Sequence, residues 1–198
     1  MTADQALARL IEGNERFMRG EARFPTVQKE VLADLAKGQK PFATVLGCSD
    51  SRVPPELVFD AGFGELFIVR VAGNVISAEI MGTLQYAGVH LQTPLFVVMG
   101  HRGCGAVSAA LATKEKGASH PARIALLLES IYPALENVDP TLPPVEMFDA
   151  AVEANVRWSM RQVLETPEAQ QRAKQGVMKL VGAVYDLETG SVRFLPDP

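Results

Sequence analysis

Apolar residues recur along this chain with two periods, and the switches between them mark its elements. Residues 2–18 carry Leu7, Leu10, Ile11, Asn14 and Met18 at helical spacing. Thr2 is placed as an N-cap, with Gln5 three residues on in the manner of a capping box. The stretch TVQKEVLADLAKG (26–38) predicts a second helix closed by Gly38. Three short apolar runs then read as strands: FATVLG leading straight into Cys48, LFIVRVAG at 66–73, and LFVVMG at 95–100, followed at once by His101. Between and after them, SAEIMGTLQYAGVHLQ (77–92, Ser77 as cap) and AVSAALATKEKG are helical in pattern. Continuously apolar strands alternating with helices predict a parallel sheet covered on both faces.

Helical patterns return at 122–132 (Ile124, Leu127, Leu128, Ile131) and at roughly 146–165, separated by DPTLPP (139–144), which reads as a loop. The C-terminal VMKLVGAVYDLETGSVRFL predicts two strands around a turn at ETG. The expected architecture is α/β: a parallel-core β-sheet flanked by helices, with N-terminal helices and a C-terminal antiparallel edge hairpin. It is read as a single domain over 1–198, with an N-terminal helical arm over about 1–38.

Composition narrows the function classes. Hydrophobic residues make up 47% of the 198, enough for a full core, and the net charge is −4. No run of five Lys/Arg occurs, so nothing points to nucleic acid. The longest apolar runs are too short to span a bilayer, and MTADQALARL lacks the basic start and apolar stretch of a signal peptide. Two cysteines make no disulfide framework, and a reducing cytoplasm is the plain reading.

The chemistry gathers at two strand ends. One gives Cys48-Ser-Asp50-Ser-Arg52 and the other His101-Arg-Gly-Cys104. In open α/β sheets, functional groups collect beyond the carboxyl ends of the strands. If the two strands are neighbours, two thiolates, an imidazole and a carboxylate meet there. That is a four-donor set for zinc. The plainer readings are buried cysteines acting as small hydrophobes and Asp50–Arg52 as a surface ion pair. His90, in a helix, and His120, in a loop beside Pro121, have no ligand-like neighbours and read as structural or solvated. AGFGELF lacks the third glycine of a dinucleotide fingerprint, GHRGCG lacks a phosphate-loop ending, and no Gly-x-Ser-x-Gly elbow is present.

CSDSR followed by GHRGCGAV, with GNERF, VRVAGNV (69–75) and LQYAGVHL (84–91), resembles the β-class carbonic anhydrases over most of the chain. The resemblance implies one zinc per subunit, held by Cys48, His101 and Cys104. It implies reversible hydration of CO₂ to bicarbonate and a proton by attack of zinc-bound hydroxide, with Asp50 and Arg52 as the catalytic dyad. In that family the aspartate is seen bound to the metal as a fourth ligand in a closed, inactive form, and paired with the arginine in the active one. The dyad is therefore read as a gate that opens as pH rises, as well as a device that orients hydroxide. Two thiolates cancel the charge of Zn²⁺, so this zinc acidifies water less than an all-histidine zinc does.

Gln39, nine residues before Cys48, and Phe67 and Tyr86 match the substrate pocket of the plant-type subset. The bland alternatives are a turn glutamine and two core aromatics. A second subset carries tryptophan three residues before the first zinc cysteine, as part of a non-catalytic bicarbonate site. That position is Val45 here, so no strong bicarbonate lock is expected, although Arg70 and Tyr185 match the other two places. The resemblance further implies a homodimer, or a dimer of dimers, with the active site at the subunit interface and some pocket residues supplied by the partner. Two rivals stand beside it: a same-fold hydrolase acting on carbonyl sulfide or carbon disulfide, and a catalytically silent structural zinc protein with Asp50 fixed on the metal.

Overall fold

Strand β1 (Ala43–Gly47) is buried along its whole length because it has a strand on each side and a helical layer over each face. The structure, a computed structural model, describes residues 1–23 and 29–196. Its sheet runs β2-β1-β3-β4-β5, with β2 at Leu66–Arg70, β3 at Leu95–His101, β4 at Lys179–Tyr185 and β5 at Val192–Phe194. The first four strands are parallel, and β5 closes the edge antiparallel to β4. This is the expected α/β sheet with its terminal hairpin.

Helix α1 (Ala3–Met18) opens on the capping box that Thr2 and Gln5 predict, with both reciprocal bonds formed. Helix α2 (Lys29–Leu35) ends three residues before Gly38, and residues 26–28 of its expected span lie outside the described residues. A short α3 (Pro55–Val58) follows the first strand end, then α4 (Ala78–Val89), capped by Ser77 as expected. Helix α5 (Gly105–Lys116) ends on Gly117 in the left-handed region, φ 64°. Helix α6 (Ala122–Glu129) stops short of the expected 132 and hands over to a 3₁₀ turn at Tyr132–Asn137. Helix α7 (Pro144–Leu164) is the longest, and α8 (Pro167–Lys174) lies outside the expected helices. No helix among the described residues is long and apolar enough to cross a membrane.

Register decides where the chemistry goes. Gly47 lies opposite Met99 on β3 and opposite Arg70 on β2. Cys48 therefore leaves β1 level with Gly100, one residue from His101, at the carboxyl edge of the sheet. Adjacent strands run about 4.8 Å apart, so the two strand-end clusters are close neighbours. The position of α7 depends on Gly100. A Cβ there would fall 2.7 Å from Val156 Cγ2 and 3.3 Å from Val152 Cγ1, so only glycine lets this buried helix lie against β3 directly behind His101.

Candidate metal centre

The donor atoms of Cys48, His101 and Cys104 lie within 4.8 Å of one another, and all three residues are buried. Cys48 arrives from β1 and His101 ends β3. Between His101 and Cys104, Gly103 takes φ 70° to bend the chain back. Cys104 then stands at the N-cap of α5, with the N–H groups of Ala106 and Val107 facing its sulfur at the positive end of the helix.

The imidazole is oriented by its own backbone. His101 Nδ1 sits 2.9 Å from the Arg102 carbonyl oxygen, which can only accept, so Nδ1 carries the proton. Nε2 is left as a bare lone pair, buried and without a partner among the described residues. A buried nitrogen acceptor facing two sulfurs is a costly arrangement unless something electropositive sits between them. The sulfurs agree with this. A hydrogen bond from Cys104 pulls the Cys48 thiol down despite burial. The same shared hydrogen bond, helped by burial, pushes Cys104 up. Two sulfurs and an imidazole nitrogen are the donor set that zinc prefers, and the three residues fit it.

The rim is equally specific. Arg52 grips Asp50 through Nε–Oδ1 at 2.9 Å and Nη2–Oδ2 at 2.7 Å, and its backbone N–H adds a third bond at 3.0 Å. Arg52 also reaches the Gly103 carbonyl at 3.3 Å, tying the first strand end to the turn that carries Cys104. Those Arg52 bonds hold the Asp50 carboxyl well below the usual carboxylate range. Arg70 is engaged from the side, donating to the Cys48 and Asp50 carbonyls at 2.8 and 2.5 Å. Tyr185 is buried at the end of β4, opposite His101.

The three pocket residues are not brought to this centre within one chain. Phe67 pairs with Thr44, four residues before Cys48, so it lies roughly 13 Å back along the sheet at a rise of about 3.3 Å per residue. Tyr86 stacks on it at 6.2 Å, 47% exposed, and Gln39 is exposed ahead of the opposite end of β1. His90 packs on Tyr86, and His120 bonds Thr113, both away from the metal donors.

Residues behind the centre escaped the sequence reading. Arg102, next to His101, forms ion pairs with Asp149 on α7 and Asp186 after β4, each at 3.0 Å. Asn155 and Ser159 of α7 bond the backbone of the segment at 72–74. Their partners are about 50 to 85 residues away in sequence, so no local pattern announces them.

The sequence pattern of the carbonic anhydrase family matches residues 43–192, and the chain belongs to that family. It is 38% identical over 183 residues to carbonic anhydrase 2 of Mycobacterium tuberculosis strain H37Rv, covering 91% of this chain and 87% of that one. Its identity to the carbonic anhydrase of Mycolicibacterium smegmatis is also 38%, over 184 residues, covering 92% and 88%. Among solved structures, the β-carbonic anhydrase of Coccomyxa in complex with acetazolamide superposes with a TM-score of 0.77 at 28% identity, covering 97% of this chain and 87% of that chain. Within the family the chain is of the β class.

Proposed function

We propose that this protein catalyses the reversible reaction CO₂ + H₂O ⇌ HCO₃⁻ + H⁺, with one zinc per subunit on Cys48, His101 and Cys104. The observation that carries this reading is the bare, buried Nε2 of His101 clustered with two sulfurs, next to a carboxylate that an arginine holds in place. Bound there, zinc would supply a nucleophilic hydroxide by acidifying water.

The chain's own groups do the rest. Asp50, kept ionised by Arg52, accepts the hydrogen bond of the attacking oxygen and turns its lone pair toward the carbon. Arg52 keeps Asp50 in that role by binding both of its oxygens. Arg70 fixes the two carbonyls that define the loop. Released from Arg52, Asp50 can turn to the metal and close it, which is the basis of the gate. With Val45 in place of tryptophan and Arg70 committed to main-chain carbonyls, no strong bicarbonate lock forms. Bicarbonate found displacing the Asp50–Arg52 pair in a crystal would overturn this.

The CO₂ pocket is assigned to Gln39, Phe67 and Tyr86 in the plant-type manner, with residues crossing from a partner subunit in a homodimer or dimer of dimers. Their distance from the centre of their own chain supports this, as does the exposure of Tyr86 and of Val89, three residues on in the same helix. The chain is read as one domain acting in the cytoplasm on a small-molecule substrate, without nucleic acid or membrane.

The test is to assay zinc-quantified protein on CO₂, carbonyl sulfide and carbon disulfide side by side. Turnover of CO₂, lost when zinc is stripped and restored when it is returned, is expected. Turnover of the sulfur substrates alone would favour the hydrolase, and no turnover with full zinc would favour the structural protein. The Asp50–Arg52 pairing speaks against that last reading, since a closed site needs Asp50 on the metal.

A further inference from the structure

The Cys48 sulfur accepts a hydrogen bond from the Gly73 N–H at 3.3 Å. Gly73 and the following Asn74 both take left-handed conformations, φ 69° and 44°, a region open to glycine and favoured by asparagine among the other residues, and their surroundings hold them there. The surroundings are α7. Asn155 Nδ2 donates to the Gly73 carbonyl at 2.7 Å, and Ser159 Oγ donates to the Asn74 carbonyl at 2.9 Å. The two side chains are 1% and 0% exposed and four residues apart, so they stand on one face of the helix and take hold of two successive peptide carbonyls.

The segment is confined on its other side as well. A Cβ on Gly73 would fall 3.0 Å from both Ala106 Cβ and Ile131 Cδ1. Helix α7 itself is fixed against β3 through Gly100, one residue from His101. The same helix therefore backs the histidine arm of the centre and sets the backbone that faces its first sulfur. Asn155 is also satisfied on one side only. Its Oδ1 is buried without a partner among the described residues, as is Asn74 Nδ2. The buried Asn155 amide is thus anchored through its donor half alone.

We infer that Asn155 and Ser159 are positioning residues for the Cys48 thiolate: by gripping the carbonyls of Gly73 and Asn74 they aim the Gly73 N–H at the sulfur and so set its orientation and its donor strength toward the metal. An N–H directed at a thiolate draws charge from it, which leaves a metal on that sulfur more electron-poor. Groups that orient a ligand in this way govern metal affinity nearly as much as the ligands do. The inference rests on reading Cys48 as a zinc ligand.

The experiment uses full-length protein carrying Ser159→Ala, Asn155→Leu or, as a control, Val163→Ala. Val163 is a buried residue of α7 that takes no part in the grip. Zinc affinity is measured by competition with a chelating indicator, and the sulfur-to-cobalt charge-transfer band is recorded after Co(II) exchange. Ser159→Ala and Asn155→Leu are expected to weaken zinc binding about tenfold. They are also expected to move the band to lower energy, because a sulfur relieved of its N–H donor gives up charge more readily. Val163→Ala lowers the melting temperature and moves neither readout. Bands and affinities in both grip variants equal to those of the control would overturn the inference. Ser159→Ala removes a single oxygen atom and keeps the test decisive if Asn155→Leu fails to fold. Cys48→Ser separates the two readings: if it leaves band and affinity intact, Cys48 is not a ligand and the zinc reading itself fails.

Discussion

Arg52 binds both oxygens of Asp50, at 2.9 and 2.7 Å, while Asp50 Oδ2 stays 3.9 Å from the bare Nε2 of His101. The carboxylate is thus held beside the metal donors by a partner that leaves neither oxygen free to turn inward. Asp50→Asn keeps the shape and loses the charge that Arg52 holds. Its kcat/KM for CO₂ is expected to fall on the order of 100-fold at unchanged zinc content. Arg52→Lys cannot reproduce the two-pronged grip and should fall nearly as far. Wild-type turnover in either variant, measured by stopped flow, would remove the dyad from the mechanism.

Zinc should stabilise the fold as well as activate it. For chelator-stripped protein, unfolding free energy is expected to rise by ~2.7 kcal/mol at free zinc 100-fold above its Kd. Denaturant midpoints across a zinc titration measure this. His101→Ala should flatten the response, because Nε2 is one of only three clustered donors among the described residues.

Gly100→Ala places a methyl group 2.7 Å from Val156 Cγ2, inside the buried face of α7. The expected cost is about 1–3 kcal/mol from overpacking, read from the urea midpoint. Activity should fall too, since the displaced helix backs His101.

Asp60 links α1 to the loop after α3 through Arg16 at 2.6 Å and the Arg23 N–H at 2.7 Å, and its side chain is 1% exposed. Burial by itself would raise this carboxyl, but the Arg16 and Arg23 contacts outweigh it and leave the group below its ordinary value. A carboxyl depressed in the folded state stabilises above its unfolded pKa, near 4, and that stabilisation is lost as pH falls through the folded value. Asp60→Asn should therefore lower the denaturant midpoint at pH 7, with the gap to wild type closing toward pH 3. A gap that stayed constant with pH would contradict the ionic role.

The strands and the chemistry at their ends were legible because both are local. Apolar runs ending in Cys48 and His101 state the site, provided the strands are neighbours, and the β1–β3 register makes them so. Thr2–Gln5 and Ser77 declare their helix starts. Helix α8 passed unread because its face buries only Ala169, although Thr166 and Pro167 are ordinary start signals. Asn155 and Ser159 look like polar positions of an amphipathic helix, and only the fold turns them inward onto residues some 80 positions earlier. No local pattern places the pocket residues, because Phe67 and Tyr86 stack on each other far from Cys48 of their own chain.

The most direct test is stopped-flow CO₂ hydration against a pH indicator, on protein carrying one zinc per chain, at pH 7 and pH 8.5. With Asp50 held by Arg52 as it is here, turnover is predicted at both values and faster at the higher. Turnover at 8.5 alone would mean that Asp50 occupies the metal at neutral pH. No turnover at either value, with zinc fully bound, would contradict the account.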